Sequence, residues 1–204
     1  MNEAFLTILG SLKDFWDQNR TGKQFPVSFK MHPAAKDLIE SQGIPHTAIF
    51  KLEVNGAKKP LQYNVKDGDQ IVIYPFESVK GSAFDPIYSS PDNFIADVHL
   101  GKLVKTLRLL GFNTAFNQDW DDDAIIARSN EEKRMILTRD LELLKHGDTN
   151  WGYWIRATNP DQQIEELFER FNLSEHLHPF TRCMKCNGLL QQTDLESVKE
   201  QVPP

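Results

Sequence analysis

The sequence predicts two modules in tandem: a small α+β module, then an α/β domain built on a parallel sheet. Three observations predict this. Residues 77–93 are dense in Gly, Ser and Pro and lose all hydrophobic period, as linkers do. Ahead of them, short alternating segments are divided by tight-turn signals. Behind them, apolar strands alternate with helically spaced segments, the order that produces a parallel sheet with helices on its faces. A chain of 204 residues has room for two such cores.

The elements follow in order. Residues 4–16 read two ways. Phe5, Ile8, Leu9, Leu12, Phe15 and Trp16 fit one helical face, while residues 4–10 alone could be a strand. Residues 25–31 alternate and predict a strand. Residues 33–42 predict a short helix closed by Gly43. Residues 49–55 alternate again and end at Asn55-Gly56, a strong hairpin signal. Lys66-Asp67-Gly68-Asp69 predicts a turn before a buried strand over 70–75. In the second module, strands are predicted at 94–96, 114–117, 135–138 and 153–157. Helices are predicted at 100–110, 121–132, 141–146 and 161–171.

Composition bounds the function. The longest apolar runs fall far short of the ~20 residues of a membrane span, and Met-Asn-Glu-Ala-Phe-Leu has no basic signal region. A cytoplasmic protein with no membrane partner is the expectation. The net charge is −6 and uneven: residues 1–82 carry 10 Lys+Arg against 9 Asp+Glu, residues 83–204 carry 13 against 20. A pure nucleic-acid binder would lean basic. An acidic second half fits carboxylates gathered around cations, or simply a solubilising surface. The two cysteines, Cys183 and Cys186, give no disulfide framework. No Gly-x-Gly-x-x-Gly or P-loop supports nucleotide-cofactor chemistry.

Three acidic points recur in one predicted context. Asp97 ends the first strand of the second module and Asp140 ends a later one. Asp121, Asp122 and Asp123 open the helix between them. In a parallel sheet the C-terminal strand ends share one edge, where ligands bind. Carboxylates gathered there repel one another unless a cation sits among them, and hard oxygen ligands suit Mg2+ or Mn2+. Singly, each Asp also reads as a helix cap, a role Asp fills often. Arg139 and Lys102 are the cations expected near a substrate phosphate; the alternative is that they form salt bridges quieting the acids. Arg108 reads as a brace between its helix and neighbouring elements. Trp151 and Trp154 suit core packing better than base stacking. His32 and His46 suit surface or turn positions.

These residues also carry a family resemblance. The run from Phe94-Ile95-Ala96-Asp97-Val98-His99-Leu100-Gly101-Lys102 to Leu109-Leu110-Gly111-Phe112 resembles the opening of the Mut7-C family. Ile136-Leu137-Thr138-Arg139-Asp140 resembles its second signature, and Asp119-Trp120-Asp121-Asp122 its intervening acidic segment. Phe180-Thr181-Arg182-Cys183-Met184-Lys185-Cys186-Asn187-Gly188 resembles the start of its zinc ribbon. The resemblance implies a PIN-like fold over residues 93–204, with a partial zinc-ribbon knuckle from about residue 180. It implies ribonuclease activity with Asp97, Asp122 and Asp140 as metal ligands; Asp121 competes with Asp122 for the middle role. The family's second Cys-x-x-Cys has no counterpart here, so Cys183 and Cys186 are expected to offer half a Zn2+ site. His176 and His178 lie near but do not form a convincing ligand pattern with them.

In the first module, Asp37-Leu38-Ile39-Glu40, Gly43-Ile44-Pro45-His46-Thr47, Val54-Asn55-Gly56 and Asp67-Gly68-Asp69-Gln70-Ile71-Val72-Ile73-Tyr74-Pro75 resemble the Mut7-C ubiquitin family, β-grasp relatives of the ThiS and MoaD sulfur carriers. The division expected is a β-grasp module over 1–78, a linker over 79–92 and the nuclease-like domain thereafter. Carriers act through a terminal Gly-Gly, whereas this strand runs on into Phe76-Glu77-Ser78-Val79. A substrate- or protein-binding role for the module is therefore expected, not carrier chemistry. The function expected is Mg2+- or Mn2+-dependent hydrolysis of RNA phosphodiesters by a metal-activated water. The alternative is a non-catalytic RNA- or protein-binding adaptor whose acids only cap helices.

Overall fold

The computed structural model describes residues 1–15, 24–75, 93–171 and 173–194. The expected linker over 79–92, and Trp16, lie outside the described residues.

The first module is a five-stranded mixed sheet in the order β2-β1-β5-β3-β4. Its strands are β1 (Asn2–Ile8), β2 (Phe25–Phe29), β3 (Ile49–Val54), β4 (Ala57–Lys59) and β5 (Gln70–Pro75). β1 and β5 pair in parallel at the centre, Leu6 opposite Ile71 and Ile8 opposite Ile73. A hairpin flanks each side, and α1 (Ala35–Glu40) covers the apolar face with Leu38 and Ile39. This is the arrangement of a β-grasp. The ambiguous first segment resolves as both readings in turn. Ala4, Leu6 and Ile8 point inward with period two as a strand, and residues 10–15 then wind into a 3-10 helix that buries Leu12. The helical spacing is thus, over residues 4–15, a strand stripe running into a turn stripe.

The hairpin at Asn55-Gly56 carries positive φ at both residues, 52° and 78°, as a two-residue type I′ loop requires. The Asp-Gly-Asp turn has its own anchor. Asp69 is buried and accepts hydrogen bonds from the Tyr63 hydroxyl, the Asn55 side-chain amide and the Lys66 backbone N–H. The Val-Asn-Gly and Asp-Gly-Asp motifs are therefore one structural unit that sets the register of β3 against β5.

The second module is a four-stranded, wholly parallel sheet in the order β7-β6-β8-β9. Its strands are β6 (Asn93–Ala96), β7 (Asn113–Ala115), β8 (Met135–Thr138) and β9 (Gly152–Trp154). α2 (Gly101–Leu109) and α5 (Pro160–Phe171) cover one face, packing Leu103, Leu107 and Leu167 against Phe94 and Leu137. α3 (Asp122–Glu132) and α4 (Leu141–Lys145) cover the other, packing Ile125 and Leu144 against Ile95 and Ile136. Alternate residues of β6 and β8 feed the two faces, so both central strands are buried on each side, as parallel strands must be. β7 and β9 begin one residue earlier than expected and stop sooner. Trp151 is buried in this core, as the sequence suggested.

The modules touch directly. The Thr47 hydroxyl donates to the Leu144 carbonyl at 3.1 Å, and the His46 ring sits 2.7 Å from the Thr149 carbonyl through Nε2 and 2.5 Å from Glu40 through Nδ1. Arg156 Nη2 reaches Asp14 at 2.9 Å, and the Phe15 and Trp154 rings stack at 5.0 Å. His46, expected in a turn, does occupy a 3-10 turn, but its side chain works as a bridge between modules. Neutral hydrogen bonds of this kind contribute roughly 0.5–1.5 kcal/mol each and charged ones roughly 1.5–3.

Candidate active site

The strand order places the site. The chain leaves β6 toward β7 on one side and enters β8 on the other, so a crevice opens between the C-terminal ends of β6 and β8. Asp97 directly follows β6 and Asp140 follows β8 by one residue. Each turns the chain into a helical segment by capping it. Asp97 Oδ1 accepts from the His99 N–H at 2.7 Å, and Asp140 Oδ1 accepts from the Glu142 N–H at 2.8 Å. The same two side chains thus cap helical segments and line one cleft.

Thr138 joins them. Its buried hydroxyl donates to Asp97 Oδ2 at 2.5 Å and accepts from the Asp140 N–H at 2.9 Å. The sequence reading passed over Thr138, although it stands inside the Leu-Thr-Arg-Asp signature. A polar residue closing an otherwise apolar buried strand was the signal.

α3 supplies the third acid, and the geometry separates Asp121 from Asp122. Asp121 is the N-cap, its Oδ1 accepting from the Ala124 N–H at 2.9 Å, a contact worth roughly 1 kcal/mol. Asp122, one residue on, lines the crevice instead. Asp97, Asp122, Asp140 and Arg139 thus line one open cleft of about 340 Å³, together with His99 and Trp120. The Arg128 guanidinium lies over the Trp120 ring at 4.5 Å, fixing this wall. Trp120 lines the cleft and, like Thr138, was left without a role by sequence reasoning. Lys102 does not line this cleft; it faces an adjoining one.

The three carboxylates share a cleft, not a cage: among the described residues no three His, Cys, Asp or Glu side chains are gathered as a ready-made metal site. Their mutual influence is nonetheless visible at Asp122. Its carboxyl is pushed above the usual carboxylate range, first by burial and then by the charges of Asp140, Asp97, Asp121 and Asp123. The folded state therefore binds this proton more tightly than the unfolded chain. Stability falls as pH rises from the ordinary Asp value, about 3.9, through the raised one, and stays lowered above it. Asp122→Asn should accordingly raise the melting temperature at pH 7 in EDTA, with the difference from wild type shrinking as pH falls through the raised range and gone below about 4. Asp121 and Asp123 keep the first turn of α3 acidic in the variant. An unchanged or lower melting temperature would show that no repulsion is stored there.

This donor set fits Mg2+ or Mn2+. It offers only hard oxygens, at an open site, with excess negative charge that a cation would relieve. Mg2+ keeps several waters and commonly uses one or two carboxylates plus substrate phosphate, so a cleft without a closed cage suits it. Arg139 and Lys102 have no salt bridge among the described residues, so neither quiets the acids by direct pairing.

The cysteine pair is organised but incomplete. The Cys183 N–H donates to the Gly188 carbonyl and the Asn187 N–H to the Cys183 carbonyl, folding residues 183–188 into a knuckle. Backbone N–H groups of Cys186 and Lys185 pull the Cys183 thiol below its ordinary range. Arg108 holds the knuckle: its guanidinium donates to the carbonyls of Thr114, Met184 and Lys185, which makes it the brace its position suggested. Neither His176 nor His178 completes a metal site among the described residues. Two thiols do not satisfy the four ligands of structural zinc, so the pair offers half a site among the described residues.

Among the described residues no helix is long and apolar enough to cross a membrane. No curated protein matches the chain. Among solved structures it is similar to SAMP1 from Haloferax volcanii at 13% identity and a TM-score of 0.30, over 39% of this chain and 99% of that one. Residues 1–80 match the Mut7-C ubiquitin family. Residues 92–204, which hold every side chain of the acidic cleft, match the Mut7-C RNAse domain, and the chain belongs to that family, with its ubiquitin-like module in front.

Proposed function

We infer that this chain hydrolyses RNA phosphodiesters at the cleft lined by Asp97, Asp122 and Asp140. The observation that supports it most is the meeting of three carboxylates, from three separate segments, at one strand-end crevice beside Arg139. Asp97, Asp122 and Asp140 would hold Mg2+ or Mn2+, which when bound supplies an activated water and offsets charge on the phosphate. Arg139 orients the scissile phosphate through its paired guanidinium N–H groups. Thr138 keeps Asp97 and Asp140 at fixed spacing. His99 lines the same cleft, and a metal held by the three carboxylates would make a histidine base unnecessary. The ubiquitin-like module meets the catalytic domain through β9 and the C-terminal end of α4, and none of its described residues lines the cleft, which suits recruitment of substrate or of a protein partner.

The test is cleavage of single-stranded RNA in Mn2+ and in EDTA, by wild type and by Asp140→Asn. Cleavage by wild type only with Mn2+, lowered by roughly 10²-fold or more in the variant, is expected. Equal cleavage by both proteins, or none by wild type, removes the nuclease reading. The second outcome favours an RNA- or protein-binding adaptor, which the absence of a ready-made metal cage among the described residues would also suit.

A further inference from the structure

A second cleft, of about 460 Å³, opens beside the acidic one and shares His99 and Arg139 with it. Lys102 and Lys105 of α2 line it together with Phe116 and Gln118, and none of its described lining residues is acidic. In a half-chain with 13 Lys+Arg against 20 Asp+Glu, three cations facing one cleft without an acid need an explanation. Exposed lysines on a helix usually find an acid three or four positions away. The neighbours of Lys102 at those spacings are Val98, His99, Lys105 and Thr106; those of Lys105 are Gly101, Lys102, Arg108 and Leu109. Neither lysine has a salt bridge among the described residues, and neither does Arg139. α2 begins at Gly101 without a side-chain cap, so the positive end of its dipole meets the same cleft. Gly101 also leaves room for Phe116: a Cβ there would stand 3.4 Å from the ring.

We propose that this basic cleft seats the phosphates flanking the scissile one, so that single-stranded RNA lies across both clefts with Arg139 at their junction. The assignment rests on the reading of the acidic cleft as the cleaving site. It makes the substrate a polynucleotide, not a lone phosphodiester, and sets the strand's path on the α2 side of the sheet edge.

The experiment measures binding without turnover. Full-length protein in EDTA is titrated against a fluorescein-labelled single-stranded RNA octamer across a range of salt concentrations. Three proteins are compared: wild type, Lys102→Ala/Lys105→Ala, and Lys133→Ala/Lys185→Ala, which removes the same charge at exposed positions that line neither cleft. The first variant should bind about ten-fold more weakly or worse. Its salt slope should fall by about 1.4, two phosphate contacts at roughly 0.7 each on a single strand. The second should match wild type. Equal weakening in both variants, no weakening in the first, or no wild-type binding overturns the proposal. Tighter wild-type binding to the same sequence as DNA overturns the choice of RNA. The two readings fail separately. RNA held through Lys102 and Lys105 but never cut in Mn2+ refutes the nuclease and leaves the cleft. Mn2+-dependent cutting with no loss in the lysine variant refutes the cleft alone.

Discussion

Asp97→Asn should lower Mn2+-dependent RNA cleavage by roughly 10²–10³-fold, the range for removing one preorganised electrostatic group from an active site, while leaving the fold intact. Asp97 is 5% exposed, so its charge is placed where water cannot replace it. Asn preserves the shape. Its Oδ1 keeps the His99 N–H bond, and its Nδ2 faces the Thr138 hydroxyl, which can accept where it formerly donated. The expected signature is lost turnover with a near-wild-type melting curve. Thr138→Val adds a control with a different logic. It removes no charge, but it frees Asp97 Oδ2 and leaves the Asp140 N–H without its acceptor. Loss of such a supporting partner typically costs about 10–100-fold. If Thr138 acts only by positioning Asp97 and Asp140, the double variant should lose less than the product of the two single losses, because both act on one group. Fully multiplicative losses would show that Thr138 has a separate role. Cleavage by Asp97→Asn within a few-fold of wild type would remove the acidic cleft from the chemistry altogether.

How much of this could be read before any coordinates depends on the range of the interaction. The parallel sheet was legible because each strand and helix of residues 93–171 carries its own local period, and because β-α order constrains topology. The meeting of Asp97 and Asp140 followed from strand ends sharing an edge, a topological fact. The choice between Asp121 and Asp122 did not follow: it turns on which of two adjacent side chains folds back onto the Ala124 N–H, a matter of a single rotamer. Lys102 was expected only to stand near a substrate phosphate. Which cleft it faces depends on the first turn of α2, which carries it to the one beside the acids, where Lys105 joins it one helical turn on. Thr138 went unread for a related reason: a threonine in a strand is unremarkable until its hydroxyl is seen between two acids 43 positions apart in the chain. His46 shows the limit most plainly. Its acceptor, the Thr149 carbonyl, belongs to the other module, and no pattern within either module could announce it.

Gly111→Ala should be the most damaging conservative substitution in the second module, lowering the melting temperature by roughly 10 °C. Gly111 directly follows the helix predicted over 100–110. Two independent constraints meet there. Its φ is +98°, a region L-residues occupy at a cost of about 1–3 kcal/mol. A Cβ would also stand 2.2 Å from the His178 carbonyl oxygen and 2.6 Å from its carbon, so backbone must move, which costs about 1–3 kcal/mol more. At about 2–4 °C per kcal/mol for a chain of this size, the combined cost gives the expected shift. The moving backbone is not idle: His178 and Phe180 donate to the carbonyls of Leu110 and Leu109, and Arg182 donates to that of Gly111 itself. These bonds hang the Cys183–Cys186 knuckle on the C-terminal end of α2, while the acidic and basic clefts lie at its N-terminal end. The damage should therefore be directional. Alkylation of Cys183 and Cys186 in the native protein should speed up well before RNA binding weakens, since the segment released first carries the thiols and no cleft residue. A melting temperature within 2 °C of wild type would show that the 178–182 segment yields without cost. Thiols no more reactive than before, in a protein that does melt early, would mean that the strain spreads through α2 into the whole domain.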